Sequence, residues 1–108
     1  MQTSKIIRIT SSEHLAELQQ DNRVLLIDFY ASWCAPCRAI EPLILKLANH
    51  FSGITFCKID VGDQSMSEVV AKYGITSIPC VCVESEKQHF FRNTEEIRGK
   101  LEGFLESL

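Results

Sequence analysis

The run VLLIDFYA, from Val24 to Ala31, is apolar at nearly every position. A strand with one wet face alternates apolar and polar residues, whereas a strand covered on both faces does not. The run therefore predicts a central strand with a layer of helix on each side. Its single carboxylate, Asp28, is costly to bury and is seldom placed in such a strand for stability alone. That makes Asp28 a candidate functional residue.

The remaining segments supply the layers. KIIRI, Lys5 to Ile9, reads as a short strand, and Thr10 with Glu13 three residues on forms a capping box. That box opens a helix through Leu15 and Leu18. From Cys34 to about Phe51 the period is helical, with Ile40, Leu43, Ile44, Leu47 and Phe51 in one apolar stripe. Pro42 lies inside that stripe and should kink the helix. ITFCKIDV, Ile54 to Val61, reads as a second buried strand. Ser65 with Glu68 is another capping box, opening a short helix towards Tyr73 that Gly74 ends. Cys80–Val83 and Gln88–Arg92 form a hairpin around ESEK, and Thr94–Leu108 is a closing amphipathic helix. The order is β-α-β-α-β-α-β-β-α. Crossover helices imply parallel strands early in the chain, and the hairpin adds antiparallel ones. The fold class is α/β, a mixed central sheet flanked by helices on both faces. Its 108 residues make one domain, 1–108.

Composition narrows the function. The chain is 45% hydrophobic and 23% charged, as in an ordinary soluble domain. A formal charge of -3 argues against nucleic acid or an anionic membrane surface as partner. No apolar run approaches the roughly 20 residues of a membrane span. MQTSKIIRIT lacks the apolar core and cleavage site of a secretory signal, so a cytoplasmic location is expected. A monomer is expected too.

Five cysteines, Cys34, Cys37, Cys57, Cys80 and Cys82, are an odd number in a chain with enough apolar residues for a core. They do not read as a disulfide scaffold. Cys57 and Cys82, in apolar strands, read as small hydrophobic residues. Cys80 follows Pro79 and is a candidate for a redox or regulatory part. The pair in SWCAPC, Ser32 to Cys37, has three readings: half a zinc site completed by Cys80 and Cys82, two inert core thiols, or a reversible disulfide. Position favours the last. The first turn of a helix has free N–H groups and the positive end of the dipole, which stabilise a thiolate at Cys34. Pro36 fits there because its missing N–H would have no helical partner. Three residues bring the Cys37 sulfur back to that of Cys34. Cys34 should be exposed and Cys37 shielded, which gives a nucleophile and a resolving thiol. The histidines His14, His50 and His89 are scattered and match no metal-ligand pattern.

At this point the chain resembles a known family. Asp28-Phe-Tyr-Ala-Ser-Trp-Cys-Ala-Pro-Cys-Arg38 is similar to the active-site segment of the thioredoxins, and Lys72-Tyr-Gly-Ile-Thr-Ser-Ile-Pro79 to their substrate-binding turn. The resemblance runs from about Lys5 to the C-terminus and implies a thioredoxin-like fold and a protein-disulfide reductase. It implies that Cys34 attacks client disulfides and that Cys37 resolves the mixed disulfide. It implies that Asp28 helps deprotonate Cys37, with Lys58 as companion. Trp33, Ala35, Pro36, Ile78 and a cis Pro79 would meet the client, Ile78 through its backbone. No cofactor or metal need be bound. The dithiol carries the electrons, and a thioredoxin reductase-like partner drawing on NADPH would supply them for oxidised client proteins.

Departures are visible as well. Ala35 stands where glycine is commonest, Tyr30 where tryptophan is frequent, and Cys80 where threonine is usual. FFRNTEE, Phe90 to Glu96, lacks the Val-Gly loop that joins the last strand to the last helix and forms part of the client groove. Two alternatives follow: a thioredoxin-like adaptor that binds without turnover, and a reductase like the membrane-tethered periplasmic relatives. The latter carry an insertion before the cis-proline, whereas Cys37 to Pro79 here is the compact 42 residues.

Overall fold

Five strands form one sheet in the order β1-β3-β2-β4-β5, so the predicted central strand has two neighbours on each side. The structure, a computed structural model, describes residues 6–108. Lys5, expected to open the first strand, lies outside the described residues. The strands are β1 (Ile6–Arg8), β2 (Leu25–Tyr30), β3 (Thr55–Asp60), β4 (Cys80–Glu84) and β5 (Gln88–Phe91). The helices are α1 (Ser12–Asp21), α2 (Ala35–His50), α3 (Ser67–Lys72) and α4 (Thr94–Glu106). β1, β3 and β2 run parallel, while β2 with β4 and β4 with β5 are antiparallel, as the crossovers and the hairpin require. This is the mixed sheet of a thioredoxin-like α/β fold.

Alternation along the strands divides the core in two. Leu25, Ile27 and Phe29 of β2 join Cys57, Ile59, Cys80 and Cys82 on the face covered by Leu15 of α1 and Val69 of α3. Leu26 joins Phe56, Val81 and Val83 on the other face, beneath Ile40, Ile44 and Leu47 of α2 and Ile97, Leu101 and Leu105 of α4. Asp28, between Ile27 and Phe29, shares the α2/α4 side. It stands directly opposite Lys58 on β3 and Val81 on β4. The α2 stripe is as expected, and Pro42 lies within the helix.

Two helix starts differ from expectation. Ser11, not Thr10, caps α1: its side chain accepts from the His14 N–H at 3.0 Å. Thr10, Ser11 and Ser12 can each cap, and the phase that buries Leu15 selects the middle one. Ser65 does not open α3. Asp63 caps a 3-10 turn, Gln64–Met66, by accepting from the Ser65 N–H at 3.0 Å, and α3 follows without a side-chain cap. Swinging the fully buried Met66 into the core requires that tighter turn. Gly74, at φ +67°, ends α3 as expected, with the Gly74 and Ile75 N–H groups donating back to Ala71 and Val70.

β5 leads into α4 through Arg92 and Asn93 alone. Asn93 accepts from the Glu96 N–H at 2.9 Å, and the Glu96 carboxylate accepts from the Arg92 N–H at 2.7 Å. Those two hydrogen bonds cap α4 and fix the connection that enters it. Asn93→Ala is expected to lower stability by about 1 kcal/mol and Asn93→Gly by only a few tenths, read as urea midpoints at constant m.

Candidate active site

Cys34 is the N-cap of α2, at φ -92° and ψ 105°, so its side chain points along the open end of the helix. Its sulfur accepts from the Cys37 N–H at 3.2 Å. Cys34 and Cys37 are joined as a disulfide across a Cα–Cα distance of 5.3 Å. Ala35 and Pro36 occupy the first two helical positions, both exposed, and Pro36 leaves no N–H unpaired. Arg38 fixes the preceding turn by donating to the Ser32 carbonyl at 2.6 Å.

The expected contrast in exposure does not hold. Cys34 is 5% exposed and Cys37 3%, so both sulfurs are nearly covered. Bonded to each other, they pack with Ala31 under Tyr30, Val61 and Ile78. What projects into solvent is Trp33, 73% exposed and the largest bare apolar surface beside the pair. Ile78 is half-buried, Pro79 is buried, and the bond between them is cis. The cis-proline turn thus meets the disulfide through Ile78.

Tyr30, which packs on the pair, also lines a pocket of about 190 Å3 with Asp28, Glu41, Lys58, Ile6, Ile44 and Leu45. Asp28 is only 5% exposed, and its Oδ1 has no hydrogen-bond partner. Desolvation pushes its pKa up to about 7, with Glu41 adding to the rise and Lys58 opposing it. Lys58 is half-buried, and its ammonium sits 5.4 Å from the centroid of the Tyr30 ring. Glu41 and the Tyr30–Lys58 contact were not singled out from the sequence. Glu41 lies four residues after Cys37 on α2, a spacing that signals a shared helix face.

The other cysteines have different surroundings. Burial pushes Cys57 and Cys82 up to about 12, and Cys57 donates to the Leu26 carbonyl at 3.4 Å. Both behave as small core residues. Cys80 is buried in the same cluster, and burial raises its pKa against the opposing charge of Arg92. Its setting disfavours a thiolate. Of the histidines, His50 and His89 are exposed and His14 is half-buried. Among the described residues no group of three or more His, Cys, Asp or Glu side chains is arranged to hold a metal ion. Nor is any helix among them long and apolar enough to cross a membrane.

With this geometry in hand, comparison with known proteins is direct. The thioredoxin family model matches residues 5–107. Thioredoxin-2 of Dictyostelium discoideum is 38% identical over 87% of this chain and 96% of its own length. Thioredoxin H2 of Arabidopsis thaliana is 36% identical over 70% of this chain, and the chain spans 59% of that longer protein. The oxidised mitochondrial thioredoxin 3 of Saccharomyces cerevisiae superposes with a TM-score of 0.84 at 25% identity, covering 98% of this chain and all of that one. The chain belongs to the thioredoxin family, the thiol-disulfide oxidoreductases, and carries the redox pair at Cys34 and Cys37.

Proposed function

We propose that this chain is a protein-disulfide reductase in which Cys34 is the nucleophile, Cys37 the resolving thiol and Asp28 the base that serves Cys37. The observation that carries the reading is the Cys34 sulfur capping α2, where it accepts a backbone N–H. That hydrogen bond and the helix dipole both favour negative charge on the sulfur once the disulfide is reduced.

The chemistry balances in two exchanges. The Cys34 thiolate attacks one sulfur of a client disulfide, forming a mixed disulfide and expelling the other client sulfur as thiolate. Cys37 gives its proton to Asp28 and attacks Cys34, which releases the second client thiol and restores Cys34–Cys37. Two electrons pass to the client. Asp28 suits the task because a carboxyl poised near neutrality can both take and return a proton. Trp33 and Ile78 offer the apolar surface and the extended backbone that a client segment requires. Ala35, Pro36 and the cis Pro79 border the same surface.

Family membership supports the remaining parts of the reading. Electrons reach the oxidised pair from a flavoprotein thioredoxin reductase drawing on NADPH, the clients are oxidised proteins, and the chain works as a cytoplasmic monomer. One observation favours a second reading, a binding adaptor: β5 and α4 are joined by Arg92 and Asn93 alone, without the Val-Gly loop that the family resemblance places in the client groove.

Dithiothreitol-driven reduction of insulin separates the two. The expected result is catalysis that falls to the dithiothreitol background in Cys34→Ser. Cys37→Ser is expected to accumulate a mixed disulfide with the client, visible as an adduct by mass spectrometry. A wild-type rate no higher than background would sink the reductase and leave the adaptor.

Asp28 carries a prediction about stability. Its folded pKa of about 7 lies above the unfolded value of 3.8, so the folded state binds the proton more tightly. Stability therefore falls as pH rises from about 4 to about 7. Asp28→Asn removes that loss. Relative to wild type, the variant is expected to be about 3–5 kcal/mol more stable at pH 8 and to lose most of that advantage below pH 4. Urea unfolding across that range measures it, and a pH-independent difference would contradict the burial account.

A further inference from the structure

Lys58 and Asp28 face each other across β3 and β2, on the same side of the sheet, yet they do not form an ion pair. Tyr30, two residues beyond Asp28 on β2, presents its ring to that side as well. It stands diagonal to Lys58, within reach of a long side chain. The ammonium therefore has two partners available, a buried carboxyl and an aromatic face, and it takes the ring at 5.4 Å. We propose that Tyr30 is a positioning residue of the redox site: its ring holds the Lys58 ammonium and so leaves the Asp28 carboxyl unpaired in the pocket the three residues share.

The physical reason lies in solvation. Lys58 is half-buried, so over the ring its ammonium keeps water on its outer side. A contact pair with Asp28 would draw the ammonium into a cavity where the carboxyl is 5% exposed, at a large desolvation cost. The charged groups around the carboxyl are few. Lys58 faces it from β3 and Glu41 from α2, while Arg8 of β1 and Asp60 of β3 act on Tyr30 and pair with each other at 3.9 Å. Meanwhile Tyr30 packs against the Ala31, Cys34 and Cys37 cluster. One side chain thus touches the disulfide and governs how much positive charge reaches the carboxyl that serves it. The hydroxyl has no part in this, so phenylalanine should do as well.

This inference rests on the Asp28 role given above only for its effect on rate, and the decisive readout is separate from it. Titration of the Asp28 carboxyl is followed by 13C NMR in the oxidised protein. Tyr30→Leu, or Tyr30→Met as the more adaptable filler, releases Lys58 and is expected to lower the midpoint by about one pH unit. Tyr30→Phe is expected to leave it in place, and Lys58→Met to raise it. In a Lys58→Met background, Tyr30→Leu should then move nothing. An unchanged or raised midpoint in both aliphatic variants overturns the proposal. So does a fall that persists without Lys58, which would trace the effect to water entering the cavity. The pH profile of insulin reduction should follow the same displacement. A moved midpoint with an unmoved profile keeps Tyr30 as the positioning residue and removes Asp28 as the base.

Discussion

The redox site depends on how β2 is buried. Covered on both faces, the strand has no freedom of register: a slip of one residue would carry Leu26 and Asp28 to the α1/α3 side and put Ile27 and Phe29 in their place. Six paired residues on β3 and five on β4 hold that register from both edges. Because the register is fixed, the carboxyl is fixed, opposite Lys58 and under α2. The same strand ends at Tyr30, so the turn that follows must start α2 within a few residues, and Cys34 becomes its cap. Sulfur and carboxyl are placed by one element.

Much of this was legible in the residues. The apolar run from Val24 to Ala31, interrupted only by Asp28, marked a strand with two covered faces, and the change to a helical period after Cys34 marked the crossover that makes β2 and β3 parallel. These patterns are long and redundant, so no single side chain decides them. The helix starts were read less well because they hang on single choices. Three consecutive hydroxyl residues before α1 offered equivalent caps, and only the burial of Leu15 distinguished them. At α3, the carboxylate of Asp63 accepts from both the N–H and the hydroxyl of Ser65, which draws Ser65 into the 3-10 turn and away from the start of the helix. Burial of the Cys34 sulfur was also out of reach, because it comes from Val61 and Ile78, residues far away in the chain.

The five cysteines show how completely the surroundings decide what a thiol does. Cys57 and Cys82 flank Ile27 across the sheet, where burial first and the Glu84 carboxylate second hold them protonated. Cys34 and Cys37 are nearly as well covered, so exposure is not what separates the two sets. The difference is the helix terminus. At the cap of α2 a sulfur meets a backbone N–H that has no other partner, and in the middle of a strand it meets only groups already paired. Position relative to the first turn, which the sequence does show, is therefore a better guide to reactivity than burial.

The connection between β5 and α4 is two residues long, and it is held from both ends. Asn93 accepts from the Glu96 N–H in the first turn of α4, Glu96 accepts from the Arg92 N–H in the connection, and Ile97, Leu101 and Leu105 keep the helix seated on the sheet. The disulfide packs with Ala31, Tyr30, Val61 and Ile78, none of them from residues 92–96. The redox pair and this connection therefore sit on different elements. Trp33, the most exposed apolar side chain beside the disulfide, and Ile78, half-buried against it, are placed by the turn after β2 and by the cis-proline turn, so a change at Arg92 or Asn93 leaves both where they are.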